Sequence, residues 1–187
     1  VENVDLLIST NTAVLPANGL IVTPGGIDSH VHLITPRIIP AALSSGITTI
    51  VAMESGPVWN LGVSPGWTIA RLFDAFEGVP LNVAFLARGC ASRPDGLRRN
   101  VEDGAAGLKI HEDMGASPAV VDCALGVAEE YDVAVAMHTD GLNEWGLLDE
   151  TVSALAGRAV HAYHAEGAGG GHAPNLLENL RHPHVLP

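Results

Sequence analysis

Seven short runs of apolar, largely β-branched residues recur along the chain at a near-constant interval. They are Leu20–Ile27, Ile47–Ala52, Leu81–Leu86, Ala106–Ile110, Val133–Met137, Arg158–Ala162 and His184–Leu186. Successive runs begin roughly 25 to 35 residues apart, the length of a strand plus the helix that returns the chain to a parallel neighbour. Runs that are apolar on both faces belong to a parallel sheet covered by helices. Between them, Trp67–Phe76 carries apolar residues on one face, and Ser117-Pro118 supplies a cap and a first-turn proline for a helix over Ala119–Glu130. Leu147–Leu155 and Asn175–Leu180 are shorter helical candidates. Glycines punctuate the turns, notably Gly25-Gly26, Gly104, Gly107 and Gly167 through Gly171. Residues 1–25 differ, with strand-like pieces at Val4–Ile8 and Thr12–Leu15 that read as the tail of a small β unit. The expected division is 1–25 for that remnant and 26–187 for the α/β unit.

Composition narrows the classes. The chain is 47% hydrophobic and 16% charged, which argues for a buried core and against disorder. No apolar run reaches the 18 residues of a membrane span, and no export signal opens the sequence. The net charge of −12 opposes nucleic-acid binding. Cys90 and Cys123 stand apart and outside any CxxC pattern, and read as inert core thiols. The expected compartment is the cytoplasm. Two counts stand out: nine histidines, and a single lysine, Lys109, among nine basic residues.

The histidines sit at strand ends. His30 and His32 close the first run, Lys109 and His111 the fourth, His138 the fifth and His164 the sixth. The carboxyl ends of successive parallel strands converge on one face, so these six side chains are expected in one pocket. A His-x-His pair on a strand points both rings to one side, which suits two ligands of one metal: zinc, nickel or iron by donor type. A single strand-end histidine is commonly just a satisfied polar group; four strand ends so marked argue for a metal site. Lys109 has two readings. Buried beside cations its ammonium is disfavoured, and the neutral amine adds carbon dioxide to give a carbamate able to bridge two metals. Alternatively, its ammonium pairs with Glu112, Asp113 or another carboxylate.

Other residues carry weaker signals. Asp28, Asp113 and Asp140 lie near the candidate ligands, where they orient an imidazole or cap a loop. Glu166 through His172 lacks the lysine-serine/threonine ending of a phosphate loop, and its glycines suit close approach to a small ligand; His172 serves that pocket or pins the loop. His161, three residues before His164, is expected on the opposite face in a structural role. His182 and His184 are expected at the surface.

Four stretches together carry a resemblance. Gly26-Ile27-Asp28-Ser29-His30-Val31-His32, Gly107-Leu108-Lys109-Ile110-His111-Glu112-Asp113, His138-Thr139-Asp140-Gly141-Leu142-Asn143-Glu144 and His164-Ala165-Glu166-Gly167-Ala168-Gly169-Gly170-Gly171-His172-Ala173-Pro174 resemble the catalytic (alpha) subunits of ureases. These belong to the metal-dependent amidohydrolase superfamily. The likeness runs in order from about Leu15 to the last residue. It implies an incomplete TIM (β/α)8-type barrel of six to seven βα units, because a full barrel takes about 250 residues. It also implies two nickel ions bridged by carbamylated Lys109, one held by His30 and His32, the other by His138 and His164. His111 would bind and polarise the urea carbonyl, with Asp113 supporting it. A metal-bound hydroxide would then attack the carbon, giving ammonia and carbamate in urea catabolism. Implied partners are beta- and gamma-type companion subunits and nickel-loading accessory proteins, in an oligomer.

The sequence departs from the family at three places. Met53-Glu54-Ser55-Gly56-Pro57 replaces a glycine- and threonine-rich turn, and Asn175 stands where aspartate is usual. The family's flap, with its cysteine and histidine, and its last-strand aspartate ligand would both follow Pro187. Two further readings stay open. One is another carbamyl-lysine amidohydrolase, zinc-dependent and acting on cyclic amides. The other is a non-catalytic urease-like protein that binds metal or assists assembly.

Overall fold

The computed structural model describes residues 8–32, 36–53, 66–111, 115–138, 148–165 and 176–187. Each expected apolar run contains or borders a strand. They are β1 (Gly26–His32), β2 (Ile47–Met53), β3 (Asn82–Arg88), β4 (Gly107–Ile110), β5 (Ala134–His138), β6 (Val160–Tyr163) and β7 (Val185–Leu186). All pair in parallel, in the order of the chain. Helices α1 (Ile39–Ser44), α2 (Gly66–Ala75), α3 (Pro94–Glu102), α4 (Pro118–Tyr131) and α5 (Leu148–Leu155) lie between them, and a six-residue 3₁₀ turn, Leu176–Arg181, precedes β7.

The first strand is the one whose position departs most from the sequence reading. It begins at Gly26, and Leu20, Ile21 and Val22 are exposed outside any strand. Pro24 has no N–H to give a ladder, and the first bond comes at Gly26, whose N–H donates to the Gly46 carbonyl at 2.8 Å. The stretch Thr12–Leu15 is likewise exposed and forms no strand, and most of Val4–Ile8 lies outside the described residues.

Strand alternation sorts the buried residues into two sets. Ile50, Ala52, Phe85, Ala87, Leu108, Ile110, Val135, Met137, Val160 and Ala162 face outward into the main core. There they meet helix residues at helical spacing, such as Val121, Ala124, Leu125 and Ala128 of α4. Ser117 stands at the N-cap of α4, as expected, but its side chain makes no cap bond and Pro118 opens the helix. Met53, Leu86, Ala136 and Tyr163 form a second, smaller cluster on the concave side.

The concavity follows from one long-range contact. β1 and β6 are five steps apart in the sheet, about 24 Å if it were flat. Yet the Tyr163 hydroxyl donates to the Ser29 carbonyl at 2.5 Å. The sheet is therefore curled into most of a barrel, with the helices outside. This is the incomplete (β/α)8-type architecture, and the interior cluster is buried rather than open to solvent.

Candidate functional site

The carboxyl ends of the curled strands gather the residues singled out by the sequence. His30 and His32 lie in β1 on either side of outward-facing Val31. Lys109 is in β4, and His111 follows the strand directly. His138 is the last residue of β5, and His164 comes directly after β6. Five of these side chains form a continuous file of imidazoles. His111 stacks on His138 at 4.2 Å between ring centroids, and His138 meets His164 edge-on at 4.2 Å. His164 lies 5.2 Å from His30, and His30 lies 5.0 Å from His32. Lys109 is 1% exposed within this cluster. Asp113 lies outside the described residues, as do Glu112, Asp140 and the stretch from Glu166 to Asn175.

His164 joins the file through an unusual backbone. Alternation in β6 turns His161 and Tyr163 inward and would send residue 164 outward with Ala162. His164 instead has φ +43°, in the left-handed region that non-glycine residues seldom occupy. Such strain commonly accompanies a functional site. This breaks the argument from alternation: His161 also lies on the concave side, its ring 4.5 Å from that of Tyr163. His182 and His184 are half-buried rather than surface residues, their rings 5.6 Å apart. Both cysteines are half-buried and neither forms a disulfide.

Tyr163 is the residue that the sequence reading passed over. Its ring stacks on His30 at 4.0 Å, and Lys109 Nζ sits 4.0 Å above it. Its hydroxyl reaches Ser29, and burial, then nearby Asp28, pushes its pKa up. The signal was available, since outward Val160 and Ala162 imply inward His161 and Tyr163. Asp28, at an irregularity within β1, accepts the His30 backbone N–H at 3.1 Å.

Electrostatics follow from crowding cations in a half-buried space. His30 is pushed down to about 3, chiefly by burial, then by Lys109 and by His32, His164 and His138. His32 and His161 are lowered by burial first and Lys109 second. The site thus favours neutral imidazoles, the form that binds metal.

The donor set fits a metal. With metal–nitrogen bonds of about 2.0–2.1 Å, two imidazole nitrogens on one ion stand about 2.9–3.4 Å apart. His30 Nε2 and His32 Nε2 are 3.0 Å apart. Among the described residues no three His, Cys, Asp or Glu side chains converge as a complete metal cage, so this pair is the part of the file already spaced for an ion.

A curled parallel barrel with histidines and one buried lysine at its strand ends defines a class. A model of the amidohydrolase family matches residues 21–185, and the chain belongs to that family. Within it, the chain is 48% identical over 186 residues to urease subunit alpha 2 of Streptomyces coelicolor, and 48% identical over 184 residues to urease subunit alpha 1 of Streptomyces avermitilis. These matches cover 99% and 98% of this chain but 33% of each relative, so the chain spans about a third of their length. A dihydroorotase crystal structure matches with a TM-score of 0.57 over 87% of this chain and 52% of its own, at 19% identity. That likeness concerns the fold alone.

Proposed function

We propose that this chain carries the metal-binding part of a urease-type amidohydrolase that hydrolyses urea to ammonia and carbamate. The file of five imidazoles around buried Lys109 carries this reading. Identity of 48% to urease alpha subunits along nearly the whole chain supports urea over other amides. His30 and His32 would hold one nickel ion, and His138 and His164 the other. Lys109 would bridge them as a carbamate, formed when neutral Nζ adds carbon dioxide and releases a proton. Bound there, the two ions would supply Lewis acidity and lower the pKa of a water molecule.

The chain's own residues do the rest. His111, buried and stacked on His138, would donate a hydrogen bond to the substrate carbonyl. Asp113, two residues on, is proposed to orient it. Met53, Leu86, Ala136 and Tyr163 close the barrel side of the site with apolar surface that excludes bulk water. Among the described residues no helix is long and apolar enough to cross a membrane. The proposed setting is the cytoplasm, in an oligomer with beta- and gamma-type companions loaded by nickel-handling accessory proteins.

Metal analysis after incubation with nickel and bicarbonate tests the reading. Two nickel ions per chain are expected, with Lys109→Ala reducing the content, together with ammonia release from urea. Unchanged metal content in Lys109→Ala would remove the bridging role. Two bound ions with no turnover of urea would remove the activity, and turnover of cyclic amides alone would move the assignment to a dihydroorotase-like hydrolase.

A further inference from the structure

The ladder between β3 and β4 ends at the Arg88–Lys109 pair, but contact between the two segments does not. The Gly89 N–H donates to the Lys109 carbonyl at 2.6 Å. A Cβ on Gly89 would lie 2.9 Å from that oxygen and 3.1 Å from its carbon, so only glycine lets the backbones approach this closely. At the next residue a side chain takes over. Cys90 Sγ accepts the His111 N–H at 3.3 Å, and its S–H donates to the His111 carbonyl at 3.4 Å. A thiol is one weak donor and one weak acceptor, and here both act on the same residue. His111 is buried, so its backbone groups need such partners.

We infer that Cys90 is a positioning residue for His111. Beyond the last β3–β4 pair, the thiol bonds both backbone groups of His111, and so sets where the His111 ring meets His138. This deepens the proposed function, on which the catalytic meaning of His111 rests, but the placement itself is measurable without any metal or substrate. The thiol thereby gains a role that its reading as inert filler did not allow. Serine can donate and accept in the same way; alanine can do neither.

The test is NMR of the metal-free 187-residue chain, with the His111 ring and amide signals assigned by comparison with His111→Gln. Cys90→Ala is expected to shift the His111 and His138 ring signals and leave His182 in place. It should also speed amide exchange at His111 about five- to tenfold, as expected for loss of one hydrogen bond. Cys90→Ser should restore both readouts. Nickel content should stay at the wild-type level in Cys90→Ala, because His111 is not among the proposed ligands, whereas general misfolding would abolish it. Should the alanine variant fail to fold, the folded Cys123→Ser protein can be treated with methyl methanethiosulfonate. Cys90 then loses its S–H proton and forms a mixed disulfide as methanesulfinate leaves, and the same His111 shifts are expected. Unmoved His111 signals in Cys90→Ala or after thiolation would overturn the inference. So would a serine variant as displaced as the alanine one. Absence of bound nickel in the wild type would count against the proposed function alone and leave these signals readable.

Discussion

His30 shows how a single side chain can couple the site to stability. Its imidazole is lowered from 6.5 to about 3, mainly by burial. Between those values the unfolded chain binds the proton and the folded chain does not, so stability rises with pH across that window. The contribution is complete above about 6.5 and is lost as pH falls toward 3. The metal-free chain should therefore unfold at lower urea concentration at pH 5 than at pH 7.5, and His30→Asn should flatten the difference. Equal pH dependence in the two proteins would exclude His30 as its source. Lys109 is the second cause of the shift. Lys109→Ala should raise the His30 pKa, measured by NMR titration, while leaving it below 6.5 because burial remains. A return to the full unshifted value would mean that charge, not burial, dominates.

Among the elements, strands were the most legible and short helices the least. Six of the seven strands fall within about three residues of the expected runs, because β-branched clusters and turn glycines mark them strongly. The helix over Leu148–Leu155 and the 3₁₀ turn over Leu176–Arg181 also lie where helical candidates stood. Two helices went unread. α1 has six residues with Pro40 inside its first turn, too short for a period to emerge. α3 carried a readable start in Pro94 and Asp95, followed by buried Leu97 and Asn100. Packing decides what glycine does inside these elements. In β4 a Cβ on Gly107 would lie 2.5 Å from the Ala134 carbonyl oxygen across the β4–β5 pair. Gly107→Ala should cost about 1–3 kcal/mol by forcing the strands apart. On α4, Gly126 is exposed and a Cβ there would meet nothing within 4 Å. Gly126→Ala should add about 0.5–1 kcal/mol through helix propensity. Urea titration of both variants checks the pair, and the same sign for both would refute the packing account.

At the scale of the whole molecule, the curl of the sheet depends on contacts between its distant strands. Tyr163 ties β6 to β1 through Ser29, while its ring fills the space between His30 and Lys109. Tyr163→Phe keeps the ring and removes the tether. It should lower unfolding stability by about 0.5–1.5 kcal/mol, the net worth of one such bond. No loss in chemical denaturation would show that the strand ends meet without that bond. Among the described residues β1 pairs only with β2 and β7 only with β6.

The sequence alone determined the parallel α/β class, the positions of every strand but the first and the residues at their ends, because periodicity and composition are local. It also determined that His30, His32, Lys109, His111, His138 and His164 would share one face, because parallel strands all end on the same side. Only the tertiary structure decided how they meet. Spacing gives the inward side of Tyr163, but not its seat beneath Lys109, the left-handed backbone at His164 or the Cys90 thiol on His111. The contacts of Tyr163 and Cys90 arise between segments far apart in the chain, where the geometry of the curled sheet, and not the local sequence, sets which atoms touch.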